Sequence, residues 1–170
     1  MAKVLMVSSE ATPLAKTGGL ADVVGALPAA LRELGDDVAV VIPRYGSIDL
    51  KKARRVYDSP AVHLGKAVYN VTIYLAERDR AGLDAPPRVP IYLVDCPPLY
   101  ARKGLYGEAG MDYPDNHIRF AVLARAAVAV ARYVFQTEVF HCHDWQAGLV
   151  APYLPIPPFL FPREWSFSGR

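Results

Sequence analysis

Cysteine is scarce in this 170-residue sequence, which contains only Cys96 and Cys142. Two cysteines far apart do not make a disulfide scaffold, so the composition predicts a protein of a reducing compartment, the cytoplasm. The first residues, Met1 to Lys3, run directly into a strand-like segment and do not have the form of a secretory signal peptide.

Charge of one sign and long apolar runs are also missing. The net charge is +2, without the basic excess that marks a nucleic-acid-binding domain. The longest apolar stretch, residues 120–135, is interrupted by Arg125 and Arg132, which predicts a buried helix rather than a membrane span. Because 52% of the residues are hydrophobic and 21% are charged, we expect a globular protein with no nucleic-acid or membrane partner.

The first 43 residues read as one βαβ unit. Residues 4–7 and 38–42 are apolar on both faces, as in parallel strands covered by helices on both sides. Between them, from Leu20 to Leu34, apolar residues recur at helical spacing, and Gly35 stops that helix while Pro28 lies inside it. This unit predicts a Rossmann-like, doubly wound, mostly parallel α/β sheet.

The rest of the chain is less regular. We expect short strands at residues 54–58, 61–64 and 68–75, forming a hairpin beside or at the edge of the sheet, and further strands at 89–94 and 138–141. Residues 97–110 are predicted as a loop, and helices are predicted from Pro114 to Val134, with Pro114 or Asp115 at the start, and from Trp145 to Leu154. The proline density after residue 151 predicts a loose tail.

A glycine-containing turn, Lys16-Thr17-Gly18-Gly19, joins the first strand to its helix. Its amides and the positive helix end would suit a phosphate or a sugar hydroxyl, and Lys16 adds a full charge. The alternative is an ordinary βα turn with a solvated lysine. The turn matches neither the dinucleotide-binding nor the P-loop glycine fingerprint.

A second motif, His141-Cys142-His143-Asp144-Trp145, ends a later strand. The two histidines share a face because residues two apart on a strand point the same way. They could begin a metal site. No further ligands are evident, so we expect no metal and no cofactor, with one histidine structural and the other facing a cleft. Asp144 is a plausible N-cap of the next helix.

Together these segments resemble the bacterial glycogen synthases and plant starch synthases. The resemblance rests on the run from Val4 to Leu31 with its Lys-Thr-Gly-Gly-Leu block, and on residues 40–45, 113–120 and 141–149 in the same order. It covers residues 3 to about 154. It implies a GT-B glycosyltransferase that moves glucose from ADP-glucose to the non-reducing end of an α-1,4-glucan, with retention of configuration.

The resemblance also implies roles for single residues. Lys16 would face the donor phosphates, and the backbone of Gly18 and Gly19 would meet the reacting sugar or the leaving diphosphate. Asp22 and His143 would be the catalytic residues near the reacting sugars. Tyr100 would lie close to the donor, and no metal is required.

The chain is far shorter than this family's proteins. We therefore expect residues 1–154 to form an incomplete N-terminal Rossmann-like domain and residues 155–170 a divergent proline-rich tail. The C-terminal nucleotide-binding domain, its natural partner, is absent. We expect such a fragment to be inactive alone, with an exposed sheet edge that favours marginal stability or self-association.

Two other functions compete with that hypothesis. A non-catalytic glucan-binding or regulatory module would keep the acceptor groove without transferring glucose. A flavodoxin-like redox or nucleotide-binding protein would share the βαβ start, but it would carry a phosphate fingerprint that this sequence lacks.

Overall fold

The computed structural model of the chain describes residues 1–76 and 89–154. The predicted tail, residues 155–170, lies outside these ranges. Within them the strands are β1 (Lys3–Val7), β2 (Asp37–Pro43), β3 (Ala53–Leu64), β4 (Ala67–Ala76), β5 (Ile91–Asp95), β6 (Gly107–Glu108), β7 (Met111–Asp112) and β8 (Val139–Cys142). The α-helices are α1 (Gly19–Glu33), α2 (Pro97–Tyr100), α3 (Asn116–Ala129), α4 (Asp144–Ala147) and α5 (Val150–Tyr153).

Six strands form one sheet in the order β3-β4-β5-β2-β1-β8, while β6 and β7 pair separately. β5, β2, β1 and β8 run parallel, and β3 and β4 extend the sheet as an antiparallel hairpin beside β5. The mostly parallel sheet and the hairpin at its edge are therefore confirmed. The two short strands predicted at 54–58 and 61–64 are one strand with two register shifts.

The sheet is wound on both faces, as predicted. α1 leads from β1 to β2, and α3 leads from β5 to β8 in the opposite direction along the sheet. Because crossovers between parallel strands are right-handed, crossovers in opposite directions place their helices on opposite faces. α4 and α5 pack against α3 and so share its face. With both faces covered, residues such as Leu5, Met6 and Val41 are completely buried.

Helix α1 shows how glycines set the ends of an element. Gly18 is its N-cap in extended conformation, and the helix continues through Pro28 without interruption. Beyond its C-terminus Gly35 has a φ of +97°, in the region that favours glycine. The amides of Gly35 and Asp36 donate to carbonyls of the last turn at 3.0 and 3.1 Å, forming a Schellman motif. The predicted stop at Gly35 is confirmed.

The predicted loop at residues 97–110 is wrong in part, because it contains α2 and β6. Pro97 occupies the first position of α2. The N–H at that position makes no hydrogen bond within a helix, so proline, which lacks it, is tolerated there. A proline pair therefore starts a helical turn here rather than excluding one.

The predicted helix from Pro114 to Val134 is confirmed, with Asp115 as its N-cap residue. Its α-helical part is α3, and a π-helical turn, Val130–Phe135, follows. Asp115 makes no side-chain cap to this helix. Its carboxylate instead accepts two hydrogen bonds from the Arg102 guanidinium, at 2.7 and 2.6 Å.

The predicted helix at 145–154 is two short helices, α4 and α5, separated at Gly148 and Leu149. The predicted N-cap is also wrong, because His143 is the N-cap of α4 and Asp144 is its first residue. Asp144 has a φ of +57°, a left-handed conformation that is costly for a residue with a Cβ atom. Such backbone positions are common near functional sites.

Strand β8 lies at one edge of the sheet, and no described strand pairs with its outer side. Val139, His141 and Cys142 on it are exposed. This edge is the one on which the predicted self-association would depend, and that association stays a prediction. In the described parts of the chain no helix is long and apolar enough to cross a membrane.

Candidate functional site

The two sequence motifs meet at the carboxyl ends of neighbouring strands, β1 and β8. The chain leaves β1 toward α1 on one face of the sheet and leaves β8 toward α4 on the other face. Such a divergence leaves a crevice beyond the carboxyl ends of the two strands, which is where open α/β sheets bind their ligands. The His143 amide donates to the Val7 carbonyl at 3.0 Å, which fixes the second motif beside the end of β1.

Lys16 and Asp22 form an ion pair on the solvent side of this crevice. The Lys16 Nζ donates to both carboxylate oxygens of Asp22, at 2.6 and 2.8 Å, and the Thr12 hydroxyl donates to the same carboxylate at 3.2 Å. Hydrogen bonding from Lys16 lowers the pKa of Asp22. Both side chains are more than half exposed. Exposed ion pairs of this kind contribute little free energy, so an anionic ligand can replace Asp22 as the partner of Lys16.

A buried carboxylate, that of Glu10, holds the turn from below. It accepts hydrogen bonds from the Thr17 amide at 2.5 Å, the Thr17 hydroxyl at 2.6 Å and the Gly18 amide at 3.4 Å. Glu10 is only 3% exposed. Burial by itself raises its pKa, but the bonds from Thr17, Tyr106 and Gly18 outweigh burial and lower it, so Glu10 is ionised at neutral pH.

The contacts expected of Gly18 and Gly19 with the reacting sugar or the diphosphate stay predictions. The amide of Gly18 makes a long hydrogen bond, 3.4 Å, to Glu10. The amides of Gly19 and Leu20, in the first turn of α1, have no acceptor among the described residues. They are two of the donors that every helix leaves unpaired at its start, where the helix dipole adds partial positive charge.

Tyr106 connects the turn to the segment between α2 and α3. Its hydroxyl donates to Glu10 and lies 2.7 Å from the Ser9 hydroxyl. Burial is the largest cause that raises its pKa, followed by the hydrogen bond and charge of Glu10 and by the charge of Asp144. Tyr106 therefore lies within electrostatic reach of Glu10, which bonds the glycine-containing turn, and of Asp144 in the second motif.

His141 and His143 share a face, as predicted: their rings stack with centroids 4.4 Å apart and an interplanar angle of 19°. His143 is 9% exposed and His141 is exposed. Burial, and then the neighbouring His141, lower the pKa of His143, so this ring is neutral at pH 7. Its Nε2 is buried without a hydrogen-bond partner among the described residues. A buried, unpaired imidazole nitrogen is costly, and it is a group that a ligand hydroxyl could satisfy.

Tyr100 is not brought to this surface. Its side chain is completely buried, and its hydroxyl donates to the Arg119 carbonyl at 2.7 Å. The ring also packs edge-on against Tyr45, with centroids 6.2 Å apart. A contact between Tyr100 and a nucleotide sugar stays a prediction.

Sequence reasoning missed Glu10 and Tyr106. Glu10 looked like the polar end of β1, and no spacing pattern relates it to Thr17 seven residues later. Its position three residues after the apolar run that forms β1 was the available signal, since charged side chains are rarely buried without partners. For a metal, no group of three or more His, Cys, Asp or Glu side chains with suitable placement occurs in the described ranges.

A family model described as the starch synthase catalytic domain matches residues 3–156. The chain belongs to this family. Its relatives within the starch synthase family include glycogen synthase 2 of Geobacter metallireducens, 45% identical over 154 residues, which cover 87% of this chain and 30% of that protein. The glycogen synthase of Rhodospirillum rubrum is 41% identical over 172 residues, covering 94% of this chain and 34% of that protein.

A solved structure of the family has the same fold. The catalytic domain of starch synthase IV from Arabidopsis thaliana, bound to ADP and acarbose, matches with a TM-score of 0.69 and 26% identity. The match covers 89% of this chain and 29% of that one. The chain spans about 30% of the length of the curated relatives that it matches.

Proposed function

We propose that the chain is the N-terminal part of a glycogen or starch synthase, a retaining enzyme that moves glucose from ADP-glucose to the non-reducing end of an α-1,4-glucan. The 170 residues alone bind ligands but do not complete the reaction. In the whole enzyme, residues 1–154 form one of two Rossmann-like domains of a GT-B fold in the cytoplasm, and a C-terminal domain holds most of the nucleotide.

One observation carries this proposal. The unpaired amides of Gly19 and Leu20 and the Lys16 ammonium belong to the turn and helix start that follow β1, and the unpaired Nε2 of His143 belongs to the segment that follows β8, the strand beside β1. The first three are anion-binding groups, and the fourth suits a sugar hydroxyl. The neighbouring starch synthase IV structure contains ADP and acarbose, ligands of those two kinds.

These groups match the charge that develops in the proposed reaction. The bond between glucose C1 and the β-phosphate oxygen breaks, so that ADP leaves with the bonding electrons. A new bond forms from C1 to the acceptor hydroxyl, whose proton passes to the departing phosphate. Lys16 and the amides at the start of α1 would stabilise the negative charge as it grows, because preorganised donors act strongly in a water-poor cleft. His143 and Asp22 would position the reacting sugars.

An amide-shift titration of the whole chain tests the proposal. ADP should shift the backbone resonances of Gly19 and Leu20, and maltoheptaose should shift those near Asp22 and His143. Lys16→Gln should weaken ADP binding about tenfold, the loss of one charge-assisted contact. The matched control is Lys66→Gln, because Lys66 is an exposed lysine between β3 and β4 on the far side of the sheet. A titration in which ADP leaves Gly19 and Leu20 unchanged would contradict the proposal.

A non-catalytic glucan-binding or regulatory module is the second candidate. It is favoured by the unpaired Nε2 of His143, which suits a sugar hydroxyl, and by Lys16, whose ammonium is already paired with Asp22. Such a module would bind maltoheptaose and show no response to ADP at Gly19 or Leu20. A synthase fragment would respond to both ligands, so the same titration separates the two.

A further inference from the structure

Glu10 is the most completely satisfied charged group near the crevice. It accepts four hydrogen bonds, from the Thr17 amide and hydroxyl, the Gly18 amide and the Tyr106 hydroxyl. A carboxylate has about four acceptor sites, so Glu10 has no capacity left for a ligand or for proton transfer. Its role must lie in what it holds.

The bonds of Glu10 join segments that are distant in sequence. Thr17 and Gly18 belong to the turn before α1, whereas Tyr106 lies 96 residues from Glu10, next to β6. The Ser9 hydroxyl lies 2.7 Å from the same Tyr106 hydroxyl, and the Ser9 carbonyl accepts a bond from Tyr45 at 2.9 Å. A buried network of this kind rigidifies the elements that it connects.

We propose that Glu10 is a positioning residue of the site. Its carboxylate fixes the turn by accepting hydrogen bonds from Thr17 and Gly18. The next two amides, those of Gly19 and Leu20, are thereby held in position to bind a phosphate. The inference rests on the proposed function for the nature of that ligand. The hold on the turn itself rests on the bonds alone. Glu10 contacts neither sugar nor phosphate in this arrangement.

Charge and position make opposite predictions for Glu10. A negative charge near a phosphate site repels the ligand, so a purely electrostatic Glu10 would weaken ADP binding, and Glu10→Gln would strengthen it. A positioning Glu10 supports ADP binding through the geometry of the turn. Glu10→Asp keeps the charge but withdraws the carboxylate by one methylene group, so that it no longer reaches Thr17 and Tyr106 together.

We therefore expect Glu10→Asp, in the full 170-residue chain, to weaken ADP binding about tenfold, the loss expected if the displaced turn costs the phosphate one charge-assisted hydrogen bond from the amides of Gly19 and Leu20. The amide proton resonances of Thr17 and Gly18 should move upfield, because these amides lose a carboxylate acceptor. Glu138→Asp is the matched control. The Glu138 carboxylate accepts from the Lys3 amide at 2.9 Å, near the opposite end of β1, and its variant should leave Thr17 and Gly18 unchanged.

Two outcomes overturn the inference: Glu10→Asp that binds ADP as tightly as the parent chain, or Glu10→Gln that binds it more tightly. If the parent chain does not bind ADP at all, the proposed function fails, yet unshifted Thr17 and Gly18 amides in Glu10→Asp still overturn the hold on the turn. Should Glu10→Asp not fold, Glu10→Gln takes its place: an amide oxygen is a weaker acceptor than a carboxylate, so the Thr17 and Gly18 amides should still move upfield, and unshifted amides would overturn the hold on the turn.

Discussion

Replacing Tyr100 with phenylalanine removes one buried hydroxyl and keeps the ring that packs against Tyr45. The hydroxyl donates to the Arg119 carbonyl at 2.7 Å in a region that water does not reach. The loss of such a bond, which leaves a buried acceptor short of a donor, costs about 1–2 kcal/mol of unfolding free energy. For a chain of this length the midpoint of thermal unfolding should fall by about 3–6 °C.

Urea unfolding of the two chains, followed by circular dichroism, measures this difference, and the slope with urea should not change. Tyr113→Phe is the control, because the Tyr113 hydroxyl is half-buried and accepts only a long bond, 3.4 Å, from Gly104. Binding of ADP and maltoheptaose should stay the same in Tyr100→Phe. If instead stability is unchanged and ADP binding weakens, Tyr100 contacts the donor and its assignment to the core is refuted.

Three further predictions concern the site and its supports. Gly18→Ala should leave the free energy of unfolding unchanged, because Gly18 has an ordinary extended φ and an added Cβ atom would meet nothing within 4 Å. A loss of stability would contradict this geometry, whereas weaker ADP binding would show that a ligand approaches the backbone at Gly18. Asp115→Asn should reduce the loss of stability in acid, because hydrogen bonding from Arg102 lowers the pKa of Asp115. The ionised Asp115 therefore stabilises the fold above pH 3.8, its usual pKa, and this stabilisation is lost as the pH falls below that value. Urea midpoints of the variant and the parent chain at pH 5 and pH 3 measure the change. His141→Gln should raise the pKa of His143, although burial keeps that pKa below 6.5. A histidine with a lowered pKa makes the fold less stable as pH falls below 6.5, so the variant should lose less stability there than the parent chain. An NMR titration of the His143 ring that shows no change in its pKa would refute the coupling.

The first βαβ unit was predictable because its signals are local. Apolar runs, a helical stripe and Gly35 each act within one element, and the glycine conformation at the helix end follows from the absence of a Cβ atom. The hairpin of β3 and β4 was likewise visible from its β-branched and aromatic residues. The mostly parallel sheet, though not its strand order, followed from the fold class and the resemblance.

The features that the sequence did not reveal depend on long-range partners. Asp115 has the sequence position of a cap, but Arg102 takes its carboxylate. Tyr100 is buried because its hydroxyl donates to the Arg119 carbonyl, a partner 19 residues away that no local pattern reveals; its contact with the donor stays a prediction. Glu10 carries no periodic signal, because its partners are a turn seven residues away and a tyrosine 96 residues away. Such pairings are set by tertiary structure and leave no mark in a local window.

The two edges of the sheet differ in how well they could template a new strand. β3 has two register shifts and carries Arg54, Arg55 and Asp58, features that discourage edge-to-edge pairing. β8 is short and regular, with no strand beyond it among the described residues. A sheet with one receptive edge can join a second copy only through the same strand twice, about a two-fold axis. Such an isologous contact closes on itself, so strand addition would end at a pair and would not propagate into a fibre.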